Sequence, residues 1–203
     1  MHVEFLLEEP SAEAALHQLL PRLLPPGDTW RCVPHRGKDA LLLRLPSLLK
    51  TYASRIPHEP ELRVVILMDA DSDCRKVKKK LEDLVGAAHL LTKTTAGPNQ
   101  PFRVLTRLAV AELEAWFLGD RQAIQTAYSR VRSHHFKGLN RDPDAIVDTW
   151  ETLHKVLREG GYYVNKYLKI EVAERIAEQL STDLARNTSA SFRYFCEGLE
   201  ALR

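Results

Sequence analysis

The chain has 203 residues, with 29 Lys plus Arg against 27 Asp plus Glu, a formal net charge of +2. That length suits one domain of roughly 100–200 residues, or one domain with an appendage, and is enough for a real core without staples. The near-neutral balance excludes a histone-like polycation, though not a local basic patch, and 44% hydrophobic with 28% charged residues excludes wholesale disorder.

No apolar run approaches the ~20 residues of a membrane helix, so no membrane partner is expected. The start Met1-His2-Val3-Glu4 has neither a basic n-region nor a small-residue cleavage site, so no signal peptide is expected. Cys32, Cys74 and Cys196 are odd in number and widely spaced, without a C-x-x-C pair. Neither a disulfide framework nor a zinc ribbon is supported, and a cytoplasmic location is the simplest reading.

Val3-Glu4-Phe5-Leu6-Leu7 is too short for a helix and reads as a buried strand. Ser11 is placed to cap a helix carrying Leu16, Leu19, Leu20, Leu23 and Leu24, with Pro21 as a kink or early end. Pro25-Pro26-Gly27 breaks the chain before a second strand, Thr29 to Val33. Asp39 opens a helix with Leu41, Leu42, Leu45, Leu48, Leu49 and Tyr52 on one face. Leu62-Arg63-Val64-Val65-Ile66-Leu67-Met68 is nearly continuous and rich in β-branched residues, as a central parallel strand should be. It runs into Asp69-Ala70-Asp71-Ser72-Asp73, then a helix with Val77, Leu81 and Leu84 inward, then a fourth strand over Phe102 to Val110.

This alternation predicts an α/β fold with a mostly parallel, four-stranded, Rossmann-like sheet between helices, over residues 1–120. Beyond Asp120 the pattern is helical only, and residues 121–203 are expected to form an extension packed on the core. Asp142-Pro143 looks like a cap with Pro in the first turn. Ile146, Trp150, Leu153 and Leu157 keep helical spacing, as do Ala173, Ile176, Ala177 and Leu180, and then Phe192, Phe195, Leu199 and Leu202.

In an open parallel sheet, ligands gather outside the carboxyl ends of the strands. Here those ends carry Glu8-Glu9, Asp69 with Asp71, and Glu112 with Glu114. Clustered carboxylates repel, which raises their pKa values or calls in a cation. Mg²⁺ or Mn²⁺ suits such hard oxygen donors, and the ion can activate water and stabilise phosphoryl charge. Asp73, just before Arg75-Lys76-Val77, serves either as a helix N-cap or as a further ligand. Glu112 is the better site candidate of its pair because it is nearer the strand end. His35-Arg36-Gly37-Lys38 lacks the first glycine and the Ser/Thr of a P-loop, but its cations suit a phosphate at a helix start. Arg75, Lys76 and Lys79 form either a solvated face or a nucleic-acid contact, and Lys166 is a further candidate for phosphate. His134-His135 and the stretch Asn187 to Ser191 read better as structure than as chemistry.

A Glu ending a first strand, followed by a helix, with Asp-x-Asp after a later strand, resembles the Toprim fold of topoisomerases, primases and several nucleases. Toprim sequences normally put Gly after that Glu; Glu9 stands there, and Glu8 is the favoured equivalent. The chain is similar still more closely to the DUF4276 family of small Toprim-like bacterial proteins. The similarity lies in Leu7-Glu8-Glu9-Pro10-Ser11, His35-Arg36-Gly37-Lys38, Asp69-Ala70-Asp71, Glu112-Leu113-Glu114-Ala115-Trp116 and Asn187 to Phe192. The resemblance implies a Mg²⁺- or Mn²⁺-dependent nuclease-like core, with DNA or RNA as substrate and Glu8, Asp69 and Asp71 as metal ligands. It also implies a role beside an ATPase partner in defence against phage. Two other readings stand: a haloacid-dehalogenase-type phosphatase with Asp69 as nucleophile, and a non-catalytic module that docks on an ATPase.

Overall fold

The computed structural model describes residues 1–70 and 73–203. Four strands form one parallel sheet: β1 (His2–Leu7), β2 (Thr29–Pro34), β3 (Leu62–Asp69) and β4 (Val104–Ala109), in the order β2-β1-β3-β4. The two inner strands, β1 and β3, are the ones whose sequences are almost continuously apolar, because both of their faces are covered.

The two faces follow the period-two alternation of a strand. Leu6, Val64, Ile66 and Met68 point to one side, where they meet Leu41, Leu45, Leu49 and Tyr52 of α2 (Lys38–Arg55) and Leu81 and Val85 of α3 (Cys74–Ala87). Phe5, Leu7, Val65, Leu67 and Leu105 point to the other, toward α1 (Pro10–Leu23) and the helices of the C-terminal half. Those helices are α4 (Glu114–Leu118), α5 (Arg121–Ala127), α6 (Thr149–Glu159), α7 (Lys169–Ala177) and α8 (Ala190–Ala201). α7 lies along α1, and α8 lies along β4. The Phe195 ring sits 6.5 Å from that of Phe5 and 4.9 Å from that of Trp116, so these helices share the core of the sheet. The chain is thus Rossmann-like in architecture, and among the described residues no helix is long and apolar enough to cross a membrane.

Several local expectations shift. α1 starts at Pro10, not after Ser11, because Pro carries no N–H to leave unpaired and its φ already suits a helix. Ser11 lies inside the first turn, buried, with its hydroxyl unpaired. Pro21 does not end α1, which runs to Leu23. His17, whose carbonyl loses an amide partner to Pro21, lies on the exposed side of the helix. β4 is shorter than expected. Asp142 does act as a cap, accepting the Asp144 N–H, but only for a 3₁₀ turn, Pro143–Ala145, and α6 begins later, at Thr149.

Candidate functional site

The chain order of the strands reverses between β1 and β3. α1 covers one face of the sheet while α2 and α3 cover the other, which leaves a crevice at the carboxyl ends of β1 and β3. Glu8 follows β1, and Asp69 is the last residue of β3. The Asp69 backbone N–H donates to Glu8 Oε2 at 3.1 Å, which aims the Glu8 carboxylate at the end of β3. The loop after β2 is stitched to the same place: His35 N–H donates to the Leu7 carbonyl and Gly37 N–H to that of Glu8, each at 2.9 Å. Gly37 takes φ +97°, a conformation that favours glycine, and so α2 can start at Lys38 beside the crevice.

Three further acids close in. Glu114, in the first turn of α4, is 1% exposed; the Tyr167 hydroxyl donates to its Oε1 at 3.4 Å, while its Oε2 has no hydrogen-bond partner. Glu9 pairs with Lys169 at 2.5 Å. Glu112 is half-buried, on the loop just after β4. Burial, then Glu8, then Glu114 push the Asp69 carboxyl well above the ordinary carboxylate range, with Lys169 opposing. Burial pushes Glu114 up to about 7 against the pull of Lys169. Burial works against the Lys169 charge too, but Glu114, Glu9 and Asp69 outweigh it and hold the ammonium above its usual value. The crevice therefore concentrates negative charge around Lys169.

The expected site residues sort themselves by partner. Glu112 is committed elsewhere: its Oε2 accepts the Thr149 hydroxyl at 2.7 Å and the Trp150 N–H at 2.9 Å, so it caps α6. The turn that sends it there passes through Ala111 at φ +61°, a left-handed conformation uncommon outside glycine. Asp73 accepts the Lys76 N–H at 3.0 Å and is the N-cap of α3. Asp71 lies outside the described residues. Among the described residues, no three His, Cys, Asp or Glu side chains form a group that could hold a metal ion by themselves. Glu8 and Asp69 supply two carboxylates, which suits Mg²⁺, an ion that keeps several of its waters.

The basic candidates divide as well. Lys38 and Lys76, with Lys80, line an open cleft of about 410 Å³ whose wall includes Ala70, the residue after Asp69. Arg75 faces a different cleft, along β4, and Lys79 pairs with Asp83 at 2.6 Å. His35 is turned inward, its Nδ1 3.1 Å from the Leu7 carbonyl, while Arg36 is exposed. Lys166 lines a third cleft, with Lys169, Tyr167 and Trp150. The Asn187 to Ser191 stretch is structural: the Asn187 side chain donates to the Trp116 carbonyl and accepts from Ser189 N–H, and Ser189 caps α8.

The sequence does not point to Lys169 or Tyr167, and it favours Glu112 over Glu114. Lys169 carried one readable sign: it opens α7, where the helix dipole disfavours a cation, so it needs a tertiary acid.

The fold is that of an α/β, Rossmann-like protein, with acids gathered at the switch point of its open parallel sheet and lysines beside them. This one belongs to the DUF4276 family, a domain of unknown function, which matches residues 7–200. No curated protein matches the chain, and no solved structure does.

Proposed function

We propose that this protein is a divalent-metal-dependent, nuclease-like hydrolase of phosphodiester bonds in DNA or RNA, built on a Toprim-like core. The observation that carries the reading is the Glu8–Asp69 pair at the switch point, crowded by the buried Glu114 carboxylate, whose Oε2 has no hydrogen-bond partner. Glu8 and Asp69 would hold Mg²⁺ or Mn²⁺, with Asp71 as the further ligand that the Toprim resemblance implies. Such an ion, when bound, supplies water activation and charge stabilisation at the phosphoryl group. Lys38, Lys76 and Lys80 bind the phosphate backbone beside it. Lys169 offsets the charge of the acids that do not ligate.

The alternative haloacid-dehalogenase chemistry needs Asp69 as an ionised nucleophile. It leaves Glu8, which accepts the Asp69 N–H, without a part in the reaction. Action in the cytoplasm beside an ATPase partner, in defence against phage, remains the biological setting that the resemblance suggests.

The test is cleavage of labelled DNA and RNA with Mg²⁺, Mn²⁺ or EDTA, beside Glu8→Ala and Asp69→Ala. Metal-dependent cutting lost in both variants is the expected result. A folded, soluble Asp69→Ala that cuts at the wild-type rate overturns the assignment. Rapid turnover of p-nitrophenyl phosphate without strand cutting points to the phosphatase instead.

A further inference from the structure

An open cleft of about 490 Å³ adjoins the acidic crevice on the side of the C-terminal helices, lined by Glu112, Trp150, His154, Asn165, Lys166, Tyr167 and Lys169. That volume lies within the range of small-ligand sites. Three aromatic rings stand together in its wall: Tyr167 lies 5.7 Å from Trp150 and 5.2 Å from His154, centroid to centroid. All three are half-buried, so each keeps surface toward solvent.

Each ring is held. The Tyr167 hydroxyl donates to Glu114, His154 Nε2 lies 2.9 Å from the Tyr163 carbonyl, and the backbone N–H of Trp150 donates to Glu112, which fixes the main chain that carries its ring. Two cations frame the rings. Lys166 is exposed at the rim and has no ion pair among the described residues. Lys169 stands at the inner end, against Glu9 and within the field of Asp69 and Glu114. Fixed aromatic faces beside lysines are what a nucleotide needs: every base has a face to stack, and its phosphate needs a cation.

We propose that this cleft seats the base of a nucleotide next to the scissile phosphate of a single-stranded nucleic acid. The base stacks on the Trp150–Tyr167–His154 wall, and Lys166 holds a flanking phosphate. Glu112 is then a positioning residue, which fixes Trp150 through its backbone. The inference rests on the proposed phosphodiester substrate and names its strandedness. A duplex keeps its bases stacked on one another and presents none to the wall.

The test is fluorescence anisotropy of a labelled five-nucleotide single strand in EDTA, so that binding is read without cleavage. The wild-type protein should bind the strand about tenfold more tightly than an abasic strand of the same length, within the range of one base–aromatic stack. Trp150→Ala should bring the normal strand down to the abasic level, and Trp150→Phe should restore it. Lys166→Ala should weaken both strands alike. Equal affinity for normal and abasic strands, or no binding of either, overturns the proposal. So does a duplex that binds as well as the single strand, or a free nucleoside monophosphate that competes as well as the strand. The abasic comparison uses wild-type protein and so decides the matter even where Trp150→Ala fails to fold. Discriminating binding in EDTA without metal-dependent cutting leaves this cleft in place while the hydrolase reading fails.

Discussion

Glu114→Gln tests the electrostatics of the crevice directly. Glu114 is buried, and its folded-state pKa of about 7 lies above the ordinary 4.5. A raised carboxyl pKa means that the folded state holds the proton more tightly than the unfolded one does. Stability is therefore lost as pH rises from the unfolded value through the folded one. Between pH 5 and pH 8 that loss amounts to about 2.5 kcal/mol for this group alone. Gln keeps the acceptor for Tyr167 but places an amide where Oε2 has no partner, a cost of about 1–2 kcal/mol that does not vary with pH. The absolute change is thus small at pH 8 and unfavourable at pH 5, while the difference between the two pH values keeps its full size. Urea unfolding of both proteins in EDTA at pH 5, 6, 7 and 8 reads it. Parallel stability curves for wild type and Glu114→Gln would refute the argument, because they would mean that Glu114 titrates alike in both states.

Other perturbations probe the frame and the proposed substrate surface. Gly119→Ala should cost at least about 2 kcal/mol, read by thermal melting, because its Cβ would stand 2.1 Å from Asn187 Oδ1. Asn187 cannot yield, since both ends of its amide are bonded. Asp120→Ala should cost about 2–4 kcal/mol by the same measurement. The buried Asp120 caps α5 through Ala123 N–H and also receives Ser181 N–H and the Arg186 guanidinium. The double change Lys76→Glu, Lys80→Glu should weaken nucleic-acid binding for all sequences alike and flatten its salt dependence by one to two units of log–log slope. An unchanged slope would remove that cleft from the substrate path.

The parts of this protein that were legible in its sequence are those decided locally. The branched run of β3 can only be a strand covered on both faces, and a parallel sheet puts its strand-end acids in one crevice, so Glu8 and Asp69 were readable. The choice between Glu112 and Glu114 was not. It depends on the left-handed turn at Ala111 and on α6 arriving to use Glu112 as its cap, a contact across 37 residues. The helix cap of α6 was missed for the same reason: its own N-cap position, Asp148, is left-handed and makes no side-chain cap. Lys169 meets Glu9 across 160 residues, beyond any periodicity or spacing rule.

The clustered acids also make a claim about what the fold is for. Asp69 and Glu114 are both held above the ordinary carboxylate range, so each costs stability at neutral pH in the free protein. Lys169 offsets part of that cost and is itself shared with Glu9. A cation held by Asp69 would offset more of it, and it must displace the Asp69 proton to do so. Stabilisation by Mg²⁺ or Mn²⁺ should therefore grow with pH. At a metal concentration a hundred times its Kd the gain is about 2.7 kcal/mol, or roughly 5–11 °C in Tm for a chain of this size. Thermal melts at pH 5.5 and pH 8, with metal and with EDTA, read the effect, with Asp69→Asn as control. A metal shift equal at both pH values, or retained in Asp69→Asn, would place the ion elsewhere. No shift at any pH would mean that the crevice balances its acids with substrate-borne or partner-borne cations instead.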